Sequence, residues 1–468
     1  MGTLSSLFDL SRTALLANQT ALDVAANNVA NQNTTGYVRQ VVSWQAGDSV
    51  ILSGGANVAS DGPVVTTSSK RDRVLEQRVQ QQTQVQAETS ARANVLSQIE
   101  GVFEITGTSD TAGSTQIGTS LTVFFNSLTA LSGNPADDAT RQGVVSAAKL
   151  LASAFNAAAT QLTQVTASVG HEIGDSVTAV NALTSTIAQL NGEISSNSPA
   201  GDAGTLEDQR QQAIVQLSQY VGLDQIATEH NGISLTTTGG SLLVAGTRAY
   251  SLTTVDSGSG RQVRDRTGMD VSGTISGGSM GGELTAQNTD LPTVKNALDA
   301  LAYRIGTTLN GQNAAGIDAT GAAGSAIFTL TASVAGAAQA ITASSPNGGA
   351  IAAAAPGEGV LGNGNANALL DLAKATDASG QTMAGSLGSL LAQVGTQSSA
   401  LGEQSTAQNA SLTQLSTQRD RLSGVSLDEE AAHLSQYQRS YQAAAKLFSI
   451  LNSLFAAAIN LGQQTTVG

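Results

Sequence analysis

The chain has 468 residues, with 21 basic and 35 acidic side chains for a formal charge of −14, 50 glycines, one tryptophan and no cysteine. The missing cysteines exclude disulfides, thiolate catalysis and cysteine-bound zinc, and the scarcity of Lys and Arg argues against nucleic acid as a partner. Aromatic residues at 3% and charged residues at 12% suit slender layers divided among several domains, not one thick core.

The first element is an apolar seam. Leu4, Phe8, Ser11, Leu15, Asn18, Leu22, Ala25 and Val29 recur by threes and fours, which predicts an amphipathic helix offering a coiled-coil face. Asp9, Arg12, Asn18, Gln19 and Asp23 interrupt the apolar run, so a cleaved signal peptide is not expected here. No apolar stretch reaches the roughly 18 residues of a membrane span. Asn31-Gln-Asn-Thr-Thr-Gly-Tyr37 reads as a turn, and an alternating, extended arm follows through Pro63.

Helix returns over Lys70–Phe103, with a glutamine-rich middle, and over Thr115–Leu131, stopped by Ser132-Gly-Asn-Pro135. Ala136–Ser195 predicts one helix roughly 90 Å long at 1.5 Å per residue, with kinks expected at Gly170 and Gly174. A linker to Gly204 leads to a helix over Leu206–Val221. The period then changes. Asn231 to Val244 alternates about Gly239-Gly240, which reads as a hairpin, and strand signals continue to about Gly282. A helix is expected over Leu291–Asn310, and weak strands over Phe328–Ser333 and Gln339–Ala343. Helix resumes from Ala366, with a long polar stretch over Leu387–Arg421. A second seam closes the chain: Ala431, Leu434, Gln438, Tyr441, Ala445, Phe448, Asn452, Phe455 and Ile459.

The matching ends predict a hairpin of the whole chain, mainly α with a β-rich insertion, elongated and multidomain. Residues 1–35 with 425–468 form a terminal coiled-coil domain. Residues 36–222 with 365–424 form a helical bundle with an extended arm, and 223–364 form a β-rich outer domain with one helix. Asn18, Gln438 and Asn452 interrupt the seams, where polar groups lower stability and select register and partner. Ser426-Leu-Asp-Glu429 reads as a capping box, Ser426 accepting from the Glu429 amide while Glu429 reaches back. His171, His230 and His433 lie far apart and without ligand spacing. No catalytic, metal-binding or cofactor-binding constellation is legible, so the chain reads as non-enzymatic.

Ala26-Asn27-Asn28-Val-Ala-Asn31-Gln-Asn-Thr34-Thr-Gly36-Tyr37-Val-Arg39-Gln40 resembles the N-terminal signature of bacterial flagellar rod, hook and hook-associated proteins. Ser423 to Glu430, Tyr437-Gln-Arg-Ser-Tyr441 and Ala456 to Leu461 are similar to the C-terminal helix of the same axial family. Leu131 to Gln142, Leu206 to Arg210, Leu217 to Gly222, Gly281 to Thr285 and Leu361 to Leu372 narrow the resemblance to the hook-associated protein 1 family. It departs over about 328–359, where a further outer domain carried by some members is expected to be absent.

The resemblance implies a structural junction subunit that polymerises as a ring at the distal end of the hook. It implies contact with the hook protein and connection to the filament through hook-associated protein 3. It also implies export without a cleaved signal to the extracellular flagellum, with a chaperone covering the C-terminal helix beforehand. No membrane insertion is implied. The rival readings are a hook or distal rod subunit, which the helices between Lys70 and Val221 disfavour, and a secreted adhesin with a helical stalk. The short, polar-interrupted seams bury too little alone to offset ordering entropy, so the ends are expected to order with their neighbours.

Overall fold

The computed structural model describes residues 2–34, 36–45, 49–51, 57–59, 63–104, 115–197, 204–229, 231–258, 260–344 and 347–464. Most of the expected linker before Gly204, and His230, lie outside them. The fold is mainly α, elongated and multidomain, with small antiparallel sheets.

Helix α1 (Gly2–Ala30) leads into an arm in which β1 (Gln40–Gln45) is followed by a short β2 (Ser49–Ile51) and β3 (Asn57–Ala59), and then by β4 (Val64–Ser69). The outer strands β1 and β4 pair antiparallel, as do β2 and β3. Helix α2 (Arg73–Val102) begins where the Asp72 carboxylate accepts from the amides of Val74 and Leu75, both at 3.0 Å. Helix α3 (Gln116–Gly133) is capped by Thr115, whose hydroxyl accepts from the Gly118 amide at 3.1 Å, and it ends before Pro135.

Helix α4 (Asp138–Asn197) runs 60 residues without interruption. Gly170 and Gly174 do not break it. They leave a groove for the Arg261 side chain, which lies 3.7 Å from the place a Cβ on Gly170 would occupy. The fully buried Phe155, Leu151, Leu162, Val169, Ile173, Val180 and Ile187 make α4 the spine of one continuous core. At one end of that core the Phe124 and Phe328 rings lie 5.9 Å apart.

After α5 (Thr205–Tyr220) comes a four-stranded antiparallel sheet ordered β5 (Leu223–Ala227), β6 (Ile233–Thr237), β7 (Leu242–Ala245) and β8 (Arg248–Ala249). A separate hairpin joins β9 (Thr253–Ser257) and β10 (Gly260–Arg264). The β6–β7 turn falls at the expected glycine pair, with Gly240 at φ +86°.

The strands end before the expected Gly282. Helix α6 (Gly278–Thr285) takes over there and runs through a π turn at Ala286–Asp290 into α7 (Leu291–Ala315). Its glycines are poor helix formers, yet they admit the neighbouring backbone: a Cβ on Gly282 would stand 2.2 Å from the Glu88 carbonyl oxygen of α2. Tertiary contact therefore overrides local propensity in this segment.

Between α7 and α9 the weak strands shrink to β11 (Phe328–Thr329) and β12 (Thr342–Ala343), which pair around the short α8 (Ala337–Ala340). The intervening chain is held by side chains. The Asp299 carboxylate accepts from the amides of Gly336 and Ala338, each at 2.9 Å, and Asn156 donates to the carbonyls of Ala338 and Gln339, each at 2.9 Å. The chain then enters α9 (Gly364–Asp371), α10 (Met383–Ser423) and α11 (Leu427–Gln464).

Asp265, Asp318 and Asp377 open three copies of one turn, Asp-x-Ser/Thr-Gly-x. In each, the carboxylate accepts from the amide and hydroxyl two residues on and from the amide four residues on.

The corner between α5 and β5 rests on backbone contact. The Gly222 amide donates to the Ser276 carbonyl at 2.9 Å, and Gly278, at φ +67°, has no room for a side chain because its Cβ would lie 2.2 Å from the Tyr220 carbonyl carbon. Left-handed backbone costs an L-residue about 1–2 kcal/mol, and overpacking adds about 1–3 kcal/mol. Gly278→Ala is therefore expected to destabilise the protein by about 2–5 kcal/mol in urea unfolding; a loss below about 1 kcal/mol would show that this corner relaxes freely.

Candidate assembly interface

Helices α1 and α11 pair antiparallel. Phe8 lies against Phe448 and Phe455, with ring centroids 4.6 and 6.5 Å apart, while at the other end Asn28 meets Glu430. Along α1, Ser11, Asn18 and Ala25 of the sequence seam are buried, together with Ala17, Ala21 and Asn28. Leu15, Leu22 and Val29 are half-buried beside them. Small side chains therefore occupy the most enclosed line, where they let the two backbones approach, and the larger ones flank it.

On α11, Leu434 and Phe448 are half-buried and Leu451 is buried, while Tyr441 and Phe455 keep 37% and 40% of their surface exposed. Gln438 and Asn452 are exposed, and Asn18 folds back to donate to the Ala14 carbonyl at 2.7 Å. The side chains of Leu4 and Ile459 lie outside the described residues.

The Asn-rich signature after α1 builds a latch between the ends. Asn31 donates to the side-chain oxygen of Asn27 at 2.6 Å and accepts from the Thr34 hydroxyl at 3.3 Å, tightening the turn that Gly36 completes at φ +81°. This turn brings Tyr37, Arg39 and Gln40 back against Asn28, a fully enclosed hub. Asn28 Oδ1 accepts from the Tyr37 hydroxyl at 2.9 Å and from the Gln40 amide at 3.0 Å; its Nδ2 donates to the Gln40 carbonyl at 2.8 Å and to Glu430 at 3.1 Å.

Arg39 completes the latch, donating from Nε to Glu430 at 2.6 Å and from Nη1 to Glu429, while its amide donates to the Ser423 carbonyl at 2.9 Å. Burial, and then the negative charges of Asp208 and Glu430, push the Tyr37 phenol up to about 12, so it stays a donor. Charge-assisted bonds of this kind are short and directional. They tie α1, the arm and the α10–α11 corner into one register.

Helix α11 starts directly after Ser426, whose carbonyl accepts from the Glu430 amide at 3.0 Å, and the Glu429 carboxylate is turned toward Arg39. Glu430 had no signal beyond its place in an acidic first turn. Its partner is 391 positions away in the chain. The arm also leans on α11, with Trp44 6.4 Å from Tyr437 and His433 stacked on Tyr437 at 5.7 Å.

A second polar junction joins the arm to the body. Arg71 binds Asp208, and the Glu76 carboxyl stands 3.5 Å from Arg71 Nε. Arg210 donates to Asn191 at 2.9 Å and to the Asn231 carbonyl at 2.7 Å; Asn231, in the left-handed region at φ +59°, donates to Glu207. Burial brings the Arg210 guanidinium down to about 10, still cationic at neutral pH, and burial raises the Glu76 carboxyl. The Leu206 to Arg210 motif is thus a structural joint where α5 meets α4, the β5–β6 loop and the start of α2. Among the described residues no three metal-ligating side chains gather, and no helix is long and apolar enough to cross a membrane.

The family profile described as flagellar hook-associated protein FlgK helical domain matches residues 96–328. Profiles described as flagella basal body rod protein and as flagellar basal body rod FlgEFG protein C-terminal match residues 8–37 and 418–461, the two sides of the latch. Rod-type ends closed around a helical body define a structural protein of the bacterial flagellum.

The chain is 26% identical over 556 aligned residues to flagellar hook-associated protein 1 of Escherichia coli (strain K12), covering 98% of this chain and 100% of that protein. It is 28% identical to flagellar hook-associated protein 1 of Bacillus subtilis (strain 168), with 97% of each covered. The fold is similar to the flagellar hook junction protein FlgK from Burkholderia pseudomallei, with a TM-score of 0.66 at 19% identity over 73% of this chain and 99% of that one. The chain belongs to the FlgK, or flagellar hook-associated protein 1, family.

Proposed function

We propose that this chain is the junction subunit of the flagellum, forming a ring on the distal end of the hook and joining it to the filament through hook-associated protein 3. The observation that carries this reading is a second apolar stripe on α11. Leu447, Ile450 and Leu454 are spaced by three and four residues and are 53%, 52% and 53% exposed although Phe448 and Leu451 beside them pack toward α1. Leu7 and Leu16 of α1 are likewise 46% and 54% exposed. A helix pair with apolar residues inside and out is shaped for a wall built from several copies.

In this reading Leu4, Phe8, Leu15, Leu22, Val29, Tyr441, Phe455 and Ile459 complete the seams when neighbours close on them, and the exposed Gln438 and Asn452 select the neighbour. Hook protein lies on one side of the ring and hook-associated protein 3 on the other. A chaperone shields the C-terminal helix before export, which uses no cleaved signal. The ends form one domain, with the helical bundle and the β-rich segment outside it.

The test is Ile450→Asp. Its side chain is already half in water, so the monomer is expected to unfold at the same urea concentration as the parent. Cells carrying it are expected to make hooks without filaments and to shed flagellin, as gene deletion would. Normal filaments on the Ile450→Asp background would remove this face from assembly. Normal filaments after deletion would remove the junction role itself.

A further inference from the structure

Glu283 is an acidic side chain with no cation paired to it among the described residues. It lies on α6 and is 6% exposed, and its carboxylate stands 3.3 Å from the Ser176 hydroxyl of α4. The adjacent turn of α4 contributes Glu172 and Asp175, both close enough to act on it. Among the described residues the other neighbours offer no free positive charge: Arg261 of β10, which lies against Gly170 and Gly174 of α4, is paired with Asp256 at 2.9 Å. From α2, the Glu88 carboxylate accepts the Gly277 amide at 3.1 Å, and Arg92 is gripped by both oxygens of Asp290, at 2.8 and 2.9 Å.

The nearby face of α5 brings neutral Val215 and Gln219, and on the far side of the cavity Arg419 of α10 is paired with Asp420 at 2.7 Å. That cavity, about 770 Å³, is lined by both Glu172 and Glu283 and leaves α6 space on one side. On its other side α6 is pressed to α2 at Gly282.

We propose that the contact of α6 with α2 and α4 is a proton-operated clasp: a proton held on Glu283, which is buried and lines one cavity with Glu172, keeps α6 seated, and its loss loosens α6 toward the cavity. An ionised Glu283 would be a poorly solvated charge sharing its cavity with the like charge of Glu172. Burial first, and then the charge of Glu172, push the Glu283 carboxyl up to about 7, against the opposing pull of the Ser176 and Ser279 hydroxyls. The folded state therefore binds the proton more tightly than the unfolded chain. The clasp is fully closed in acid and is lost as pH rises through about 7.

Amide hydrogen exchange on the full chain tests this, with rates corrected for intrinsic pH dependence. Protection of residues 278–285 is expected to fall about tenfold between pH 6 and pH 8, the change for one unit of proton affinity, while residues 144–162 of α4 stay unchanged. Glu283→Gln is expected to abolish the fall and to keep pH 8 protection at the level of the parent at pH 6. An equal fall in Glu283→Gln, or none in the parent, would overturn the clasp. If Glu283→Gln does not fold, carboxyl carbon shifts of glutamate-labelled parent protein decide: one glutamate titrating near pH 7 supports the proposal, and every glutamate titrating below pH 5 refutes it.

Discussion

Replacing Glu430 by alanine is expected to release the two ends from each other while the helical body stays folded. The Arg39 and Glu430 side chains retain only 10% and 3% of their surface, so the change strands a guanidinium whose remaining carboxylate, Glu429, is 60% exposed. Removing one member of a buried pair costs about 3–5 kcal/mol, and Asn28 also loses an acceptor. The α1–α11 pair is bound to the rest mainly through the latch and the arm, and its half-exposed seam has little burial in reserve. Protease sensitivity and amide exchange should therefore rise within α1 and α11 and stay unchanged in residues 144–187 of α4. Equal protection of α1 in parent and variant would show that the seam holds without the latch. The paired change Arg39→Met with Glu430→Leu separates stability from register: it is expected to restore much of the protection, because an apolar pair incurs no charge burial, but not filament assembly.

Arg141→Ala is expected to cost about 4 kcal/mol and to act at the opposite end of the body. Arg141 is 1% exposed and is the largest fully buried side chain among the described residues. Its Nε donates to the Pro135 carbonyl at 2.8 Å and its Nη1 to the Ile351 carbonyl. Burial lowers its proton affinity, yet an arginine remains charged there. Truncation leaves two carbonyls unpaired at about 1–3 kcal/mol each and opens a void at the α3–α4 corner. Lysine has one donor centre where guanidinium has a planar fork, so Arg141→Lys is expected to recover less than half of the loss. Urea unfolding measures the total, and exchange in residues 347–354 reports whether that loop comes free first. A cost below about 1 kcal/mol, or an unchanged loop, would assign the Arg141 contacts no role in holding it.

The legible parts of this fold were those whose cause is local. The ends of α2, α3 and α10 fall within a few residues of the positions indicated by apolar period and the Pro135 stop. The hairpin at Gly239-Gly240 was legible for the same reason, since its turn chemistry lies within the segment itself. The glycines of α4 and α6 were the least legible. Gly170 and Gly174 leave a groove for Arg261 within an uninterrupted helix; Gly282 belonged to a run of strand signals and lies in a helix with α2 against it. A glycine's purpose is set by what approaches it, and that neighbour is remote in the chain.

The same division holds at the candidate interface. Heptad spacing alone determined that each end carries an apolar stripe, and the Asn-rich turn with its Tyr and Arg marked where the first one stops. Which row of α1 is most enclosed was decided by packing, because alanine lets the helix axes close while leucine holds them apart. Glu430 as the partner of Arg39 was decided by the return of the chain on itself: an acid in a helical first turn looks the same whether it faces water or a guanidinium, and only the fold supplies the guanidinium. Periodicity and turn chemistry act over a few residues and so can be written in sequence. Burial, charge pairing and close backbone approach are properties of two segments at once, and they exist only after those segments have met.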